Sequence, residues 1–535
     1  MASLQFQRLM ECAEAIEGGN LDVADSLLES LDYDEEDIES TNTAVKYCAE
    51  ALVRRAYGIR PLCPPRLLPF LFEQMEEMCH FFFKFAQTAT KDAIEDALNP
   101  GDKRLHIIDL SIISRISRWT DFIDHLQRRY GGLQSVLITS VTPKRSSPEW
   151  DRKVGDVDLE WRQLIYNSPD DIVKCFSKLG RKRKDETVVV NWDFTIRKLL
   201  AQDGAIEQVL SKVKDLEADI MVISEQEANL NSPGLSNRLE QSLQYYSNIF
   251  KLLEREEDKF RSWETYFRRQ IGNVVACEGI DRVERIEPFD QWPHRLSQAG
   301  FRPVPLKAAR FSYGFSNALK GFRIEQKDGH MELRWDDCPL AVASAWKLTD
   351  PPQSSSGLCE MQDTVDDSEE MARSSESEDV EENDPCIMAD KYLWCTQGSS
   401  MNQIAASAKL FDILEYICNL YKLPAVGTWI SDDEGGNTNS NEKRILYIDY
   451  SASYTLTLSM DEYMDGYAHY PLEEGQGVVG KALQSNFHIE HDVYEPDPLD
   501  FFHSDIESYW RNRSLRASFA IRLTKELFKV MENLG

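Results

Sequence analysis

Several groups of residues in this sequence have types and spacings that could do chemistry. The run Arg104-Leu105-His106-Ile107-Ile108-Asp109-Leu110 follows a turn signal, Asn99-Pro100-Gly101-Asp102, and carries an acid near its end. Its length and β-branched content predict a fully buried parallel strand. Asp109 then stands at the carboxyl end of a strand, where doubly wound sheets bind their ligands. The chemistry to test is a cofactor site or the remnant of one. A nucleotide-like cofactor approaches the backbone closely after the first strand, and glycine supplies the room and the φ freedom for that approach. The segment from Asp109 to Trp119 holds no glycine, and Ile112, Ile113 and Arg115 would crowd a nucleotide.

Glu225 and Glu227 could act as paired carboxylates in acid–base chemistry, facing one pocket if the chain bends at that strand end. No histidine stands at metal spacing beside them. The structural alternative is that they accept from core arginines such as Arg238 or Arg269, because a buried guanidinium needs carboxylate acceptors. Arg282 and Arg285 with Glu278, Glu284 and Glu287 read likewise as an ion-pair network. The run Arg181-Lys182-Arg183-Lys184 is the one dense basic patch, suited to nuclear import or to phosphate contact. Gly475-Gln476-Gly477-Val478-Val479-Gly480 is a glycine-punctuated turn entering a helix. It lacks the Lys-Ser/Thr ending of a P-loop, so the chemistry left to it is an anion on backbone N–H groups. Eleven cysteines show no C-x-x-C pair and no zinc spacing, so neither metal nor cofactor is expected.

The elements that must position these groups follow from periodicity. Residues 5–31 read as two helices broken at Gly18-Gly19-Asn20, and Tyr47 to Arg60 and Leu67 to Ala97 as further helices. Phe81, Phe82, Phe83 and Phe85 read as core, since no basic cluster interleaves them for base stacking. Strand-like runs at Leu105–Leu110, Ser135–Val141, Thr187–Trp192 and Asp219–Ser224 alternate with helices such as Trp119–Tyr130 and Ala205–Leu216. That alternation predicts an α/β fold with a parallel sheet and right-handed crossovers. Between Asp363 and Asp384 eleven Asp and Glu accompany a single Arg. Residues 351–388 are therefore an acidic linker expected to be disordered. Order returns beyond it, with a helix at Ile404–Tyr421 and strands at Ala425–Ser431 and Arg444–Ser451.

The net charge of -31 opposes non-specific attraction to nucleic acid or an anionic membrane without excluding a local basic surface. No signal pattern opens the chain and no run of 18 apolar residues occurs, so the expectation is a soluble, nuclear or cytosolic protein with reduced thiols.

The wording of these segments resembles one family in order along residues 5–348. Leu105, His106, Ile107, Ile108 and Asp109 resemble the VHIID motif of the plant GRAS transcriptional regulators, of the SCARECROW-like kind. "ECAEAIEGGNLDVADSLLESL" resembles that family's first leucine-rich region. "ISEQEANLN", "RLEQSLQYYSNIF" and Arg269 to Arg285 resemble its PFYRE-side and RVER-containing motifs, which carry Glu225, Glu227, Arg238, Arg269, Arg282, Glu284 and Arg285. Trp292, Trp335, Ser344, Ala345 and Trp346 match its SAW region. "LEEGQGVVGKALQSN" and "SLRASFAIRL" resemble the GAF-like region of NIN-like plant regulators, with Gly475, Gln476, Gly477 and Gly480 as its ligand loop. A histidine pair often found before that loop is replaced by His469-Tyr470-Pro471, and the family's DNA-binding motif is not matched.

The resemblance implies a Rossmann-like, methyltransferase-like parallel-sheet core (101–350) under an N-terminal helical cap (1–100), then the acidic linker (351–388) and an α+β GAF-like domain (389–535). It implies a nuclear transcriptional regulator, not an enzyme. Such a protein works through other transcription factors or GRAS homo- or heterodimers and reaches DNA directly or through partners, without a membrane. The competing classes are an S-adenosylmethionine-binding enzyme and a cytosolic ligand-sensing scaffold. The glycine-free segment after Asp109 disfavours the enzyme, since it lacks even the one glycine the family usually keeps before the Trp.

Overall fold

A computed structural model describes residues 4–31, 39–59, 80–99, 101–111, 117–142, 150–166, 168–180, 182–253, 260–307, 321–349, 400–421, 423–431, 444–455, 472–491 and 517–521. The acidic linker, residues 112–116 and Arg181 lie outside the described residues, as does the first part of the helix expected at Leu67–Ala97.

The chain opens with helices α1 (Leu4–Glu17), α2 (Leu21–Glu29), α3 (Glu39–Ala56) and α4 (His80–Ala97). Gly19, at φ +73, makes the α1–α2 turn. Helix α3 stops short of the expected Arg60 because Gly58 takes φ +63 and the Ile59 N–H closes back on the Arg54 carbonyl at 2.8 Å.

The core follows as β1 (Arg104–Ser111), α5 (Ser117–Tyr130), β2 (Ser135–Thr142), β3 (Trp150–Val154), β4 (Val157–Ile165), α6 (Pro169–Ser177), β5 (Glu186–Asp193), α7 (Ala205–Asp215) and β6 (Ile220–Gln226). Helices α8 (Leu235–Leu253), α9 (Phe260–Ile271) and α10 (Trp292–Gln298) come next, then β7 (Phe301–Val304), β8 (Phe322–Lys327), β9 (His330–Trp335) and β10 (Cys338–Leu348). Helix α9 widens into a π-type turn at Gly272–Ala276.

One sheet runs in the order β3-β4-β2-β1-β5-β6-β10-β9-β8, with β7 paired to β10. Its five central strands are parallel. Strand β10 enters antiparallel to β6, which makes this a Rossmann-like sheet with a reversed flank. The parallel strands are the four runs read from the sequence plus β4. The four are apolar on both faces, and β1 and β5 are buried nearly throughout, whereas β4 alternates buried and exposed positions. Leu105 and Ile107 join the core under the cap helices, α5, α8 and α9, whereas Ile108 and Leu110 join a second core with α6, α7 and α10. The edge strands turn through two-residue hairpins. Gly155 (φ +61) lies between β3 and β4, Asp328-Gly329 (φ +46, +84) between β8 and β9, and Asp336 (φ +48) between β9 and β10.

The C-terminal part contains α11 (Met401–Tyr421), β11 (Ala425–Ser431), β12 (Ile445–Thr455), β13 (Leu472–Glu473), α12 (Gly477–Ser485), β14 (Phe487–His491) and β15 (Ala517–Ile521). Strands β11-β12-β13 form an antiparallel sheet and β14 pairs with β15. Strand β12 runs four residues past the expected Ser451, because its far end pairs Tyr454 and Thr455 with Val426 and Ala425 of β11.

Candidate functional site

Parallel pairing sets Asp109 of β1 beside Asn191 of β5, and Ser111 beside Asp193. Strand β1 has β2 on one side and β5 on the other, so this carboxyl end is the topological switch point at which doubly wound sheets bind ligands. Among the described residues, polar side chains of the chain itself bond to one another at this crevice. Asp109 Oδ1 accepts from the Ser111 hydroxyl and from Asn191 Nδ2, the latter at 2.9 Å. Asn191 Oδ1 accepts from Thr90 of α4 at 2.7 Å. Arg118, from the start of α5, donates to Ser111 Oγ at 2.8 Å and ion-pairs with Asp193. Asp109, Asn191, Asp193 and Thr90 are wholly buried. Such a charge-assisted network holds together only while each member keeps its partner. The sequence pointed to Asp109 but missed Arg118, Asn191 and Asp193. The visible signal was the polar Asn191-Trp192-Asp193 ending of an otherwise apolar strand.

The remaining VHIID-like residues are interior. Leu105, Ile107 and Ile108 fill the two cores, and His106 shares a 2.8 Å hydrogen bond with Thr139. Burial, with Arg162 and Arg183 nearby, pushes His106 down to about 4, so it is neutral. A cavity of about 480 Å³ opens at the amino ends of β1, β2, β4 and β5, opposite the switch point. Its lining mixes Arg104, Lys153, Arg162 and Arg183 with Asp158, Glu160 and Glu186, so it presents no single sign of charge.

Glu225 and Glu227 do not pair with Arg238 or Arg269. The strand order takes Glu225 to Arg197 (3.6 Å), which also holds Glu284 at 3.1 Å and donates to Gln226 and Tyr266 at 2.6 and 2.7 Å. Burial pushes Glu225 up to about 7 even so. Glu227 accepts the Phe289 N–H at 3.0 Å and is likewise pushed by burial up to about 7. Arg238 ties the π-turn to the loop before α8, donating to the carbonyls of Val274, Ser232 and Pro233 and pairing with Glu278. Arg269 reaches Glu415 in the C-terminal part.

The expected network of Arg282 and Arg285 with glutamates is also different. Arg282 donates to the Leu230 carbonyl (2.7 Å), and Arg285 to Asn231 (3.2 Å) and to the Gly279 carbonyl (2.9 Å). Glu287 takes Arg295 instead. These arginines fix loops by bridging carbonyls, which residue type alone does not reveal. Burial, with Arg238 and Arg285 beside it, pulls Arg282 down to about 10.

The SAW-region residues are packing residues. Trp292 and Trp346 lie in one core and Trp335 and Ala345 in the other, and the Trp346 indole donates to Ser344 Oγ at 2.9 Å. In the basic run Lys182 pairs with Asp219, Arg183 lines the cavity and Lys184 is exposed. In the glycine loop the N–H groups of Gly475, Gln476 and Gly480 already bond to the carbonyls of Gly480, Glu473 and Gln476. A Cβ on Gly480 would lie 2.3 Å from the Glu473 carbonyl oxygen, so this glycine serves a close backbone approach.

Comparison with known proteins agrees with this architecture. The family model described as GRAS domain family matches residues 6–347, and the NLP protein GAF domain model matches residues 397–530. The chain is similar to the DELLA protein GAIP of Cucurbita maxima, 37% identical over 366 residues, which are 64% of this chain and 62% of that protein. It is also similar to the DELLA protein GAI of Arabidopsis thaliana, 35% identical over 364 residues, 64% of this chain and 67% of that one. The match thus spans about three fifths of the first of these relatives. The crystal structure of SCL7 from Oryza sativa superposes with a TM-score of 0.52 at 22% identity, covering 65% of this chain and 100% of the other, a likeness of fold. With a family match over most of its length and a sheet of the same architecture, the chain belongs to the GRAS domain family and carries a C-terminal region similar to the GAF domain of NIN-like proteins.

Proposed function

We propose that this protein is a non-catalytic transcriptional regulator of the nucleus, recruited to DNA by other transcription factors that dock on its helical cap. The observation that carries the reading is the filled switch point. Where a methyltransferase-like fold places its cofactor, Arg118, Asp193, Ser111, Asp109 and Asn191 bond to one another. A ligand there would have to displace buried, mutually hydrogen-bonded groups. A saturable calorimetric isotherm with S-adenosylmethionine would overturn the non-catalytic part.

The net charge of -31 and the charge-paired Lys182 support arrival at DNA through partners. Selection of DNA by the full-length chain across a salt series tests this. No enriched motif at any salt is the expected result, and a motif bound with a steep salt slope would make the protein a direct DNA-binding factor. The GAF-like region acts in this reading as a protein-binding module, since three N–H groups of its glycine loop are engaged within the loop. Millimolar nitrate should leave its melting temperature unmoved, because a bound ligand stabilises by mass action.

A further inference from the structure

The cap and the C-terminal region meet along one face of α11. Its first turn enters the main core through Met401, Ile404 and Ala405. The Met401 N–H donates to Asp25 of α2 at 2.6 Å, so the cap supplies a carboxylate to the start of this helix. Further along, Ala408, Phe411, Asp412 and Glu415 recur at helical spacing and face the cap. Arg54 of α3 grips Asp412 with both Nη atoms, at 2.6 and 3.0 Å, and donates to the Ala408 carbonyl at 3.1 Å. Its Nε takes Glu50 at 2.7 Å, and Glu50 in turn takes Arg268 Nε at 2.8 Å. The Arg268 guanidinium lies 3.7 Å from the centre of the Phe411 ring, and Arg269 pairs with Glu415. Glu50, Arg54, Arg268, Asp412 and Glu415 are all buried.

The charges close only when both parts are present. Helix α3 of the cap brings Arg54 and Glu50, α9 of the core brings Arg268 and Arg269, and α11 brings the two missing carboxylates with the aromatic ring. Buried charge without its partner is strongly unfavourable, so this seat demands an acidic–aromatic helix face. We propose that the face formed by α3 of the cap and α9 of the core is a receptor site for a helix of the pattern Ala408-x-x-Phe411-Asp412-x-x-Glu415, and that α11 occupies it in cis as a latch. The latch covers part of the surface through which the cap binds partners. This deepens the proposed function and rests on it for the partners, though the latch itself does not depend on them.

The test uses the full chain with a protease site placed within 351–388. After cleavage at low salt the two parts should stay associated. Asp412→Arg with Glu415→Arg should weaken that association by about tenfold or more, the scale of close, desolvated charge pairs. Exchanging one pair, Arg269→Glu with Glu415→Arg, should restore it relative to either single change, which separates loss of the interface from loss of folding. Separation of the cleaved wild-type parts at micromolar concentration would overturn the proposal, as would full association of the doubly reversed variant. If the latch opens as expected but a captured transcription-factor partner binds the open and closed chains equally, the partner reading of the cap fails and the latch stands.

Discussion

At the residue scale the switch point holds a buried polar cluster. Asp193 lies in the interior with Arg118 as its counter-charge. Replacing Arg118 by Ala leaves that carboxylate buried and uncompensated, so the chain should lose about 3–5 kcal/mol in urea unfolding. Replacing Arg118 and Asp193 together by Met and Leu should cost clearly less than the sum of the single changes. Glu227 makes a different prediction. Burial raises it in the folded state to about 7 from an ordinary 4.5. Between those values the unfolded chain releases a proton that the folded chain keeps, so stability falls as pH rises through this window and levels off above it. Glu227→Gln should flatten that part of the pH profile, and an unchanged slope would place the effect elsewhere. Much of this was legible one residue at a time and little of it in pairs. Asp109 announces itself as an acid ending an apolar strand. Arg197 as the partner of Glu225, and Glu415 as that of Arg269, depend on strand order and on domain docking, which residue spacing does not encode.

At the element scale the sequence reads best where a strand is buried on both faces. Strands β1, β2, β5 and β6 are continuous apolar runs and were readable within a residue or two of their ends. The reversed flank was not read, because β8 and β9 are mixed in pattern and β10, though buried from Leu340 to Trp346, is rich in alanine, which favours strands weakly. Yet Asp328-Gly329 between β8 and β9 is a strong local hairpin signal, and Gly155-Asp156 between β3 and β4 is another. Those turn residues were not read either, although their chemistry marks the hairpins where hydrophobic period does not. The glycine loop of the C-terminal region permits a direct check. A methyl group at position 480 would overlap the Glu473 carbonyl, so Gly480→Ala should destabilise the α12–β13 corner by about 1–3 kcal/mol. Hydrogen exchange should then quicken in β12 and β13 while β1 and β5 stay protected; uniform protection throughout would contradict the close approach.

At the scale of the whole molecule, charge bears on the proposed nuclear location and on the latch. Replacing Arg181, Lys182, Arg183 and Lys184 together by Ala should abolish nuclear accumulation if the run is the import signal. It should cost only about 0–1 kcal/mol, since Lys182–Asp219 is a partly exposed pair. Acid should act on the latch. Burial alone would raise Glu50, but Arg268 and Arg54 outweigh it and hold the carboxyl below its usual 4.5. Its contribution is therefore complete above that value and is lost as pH falls through the lower folded value. Scattering from the full chain should show the C-terminal region releasing on acidification below about 4.5, and Glu50→Gln should shift the release to higher pH. A core plugged from within has one more consequence. If no small molecule binds there, as proposed, its stability owes nothing to the concentration of any metabolite. A cell whose one-carbon metabolism fluctuates would then leave this sheet unmoved, and nutritional information would enter through the C-terminal region or through partners.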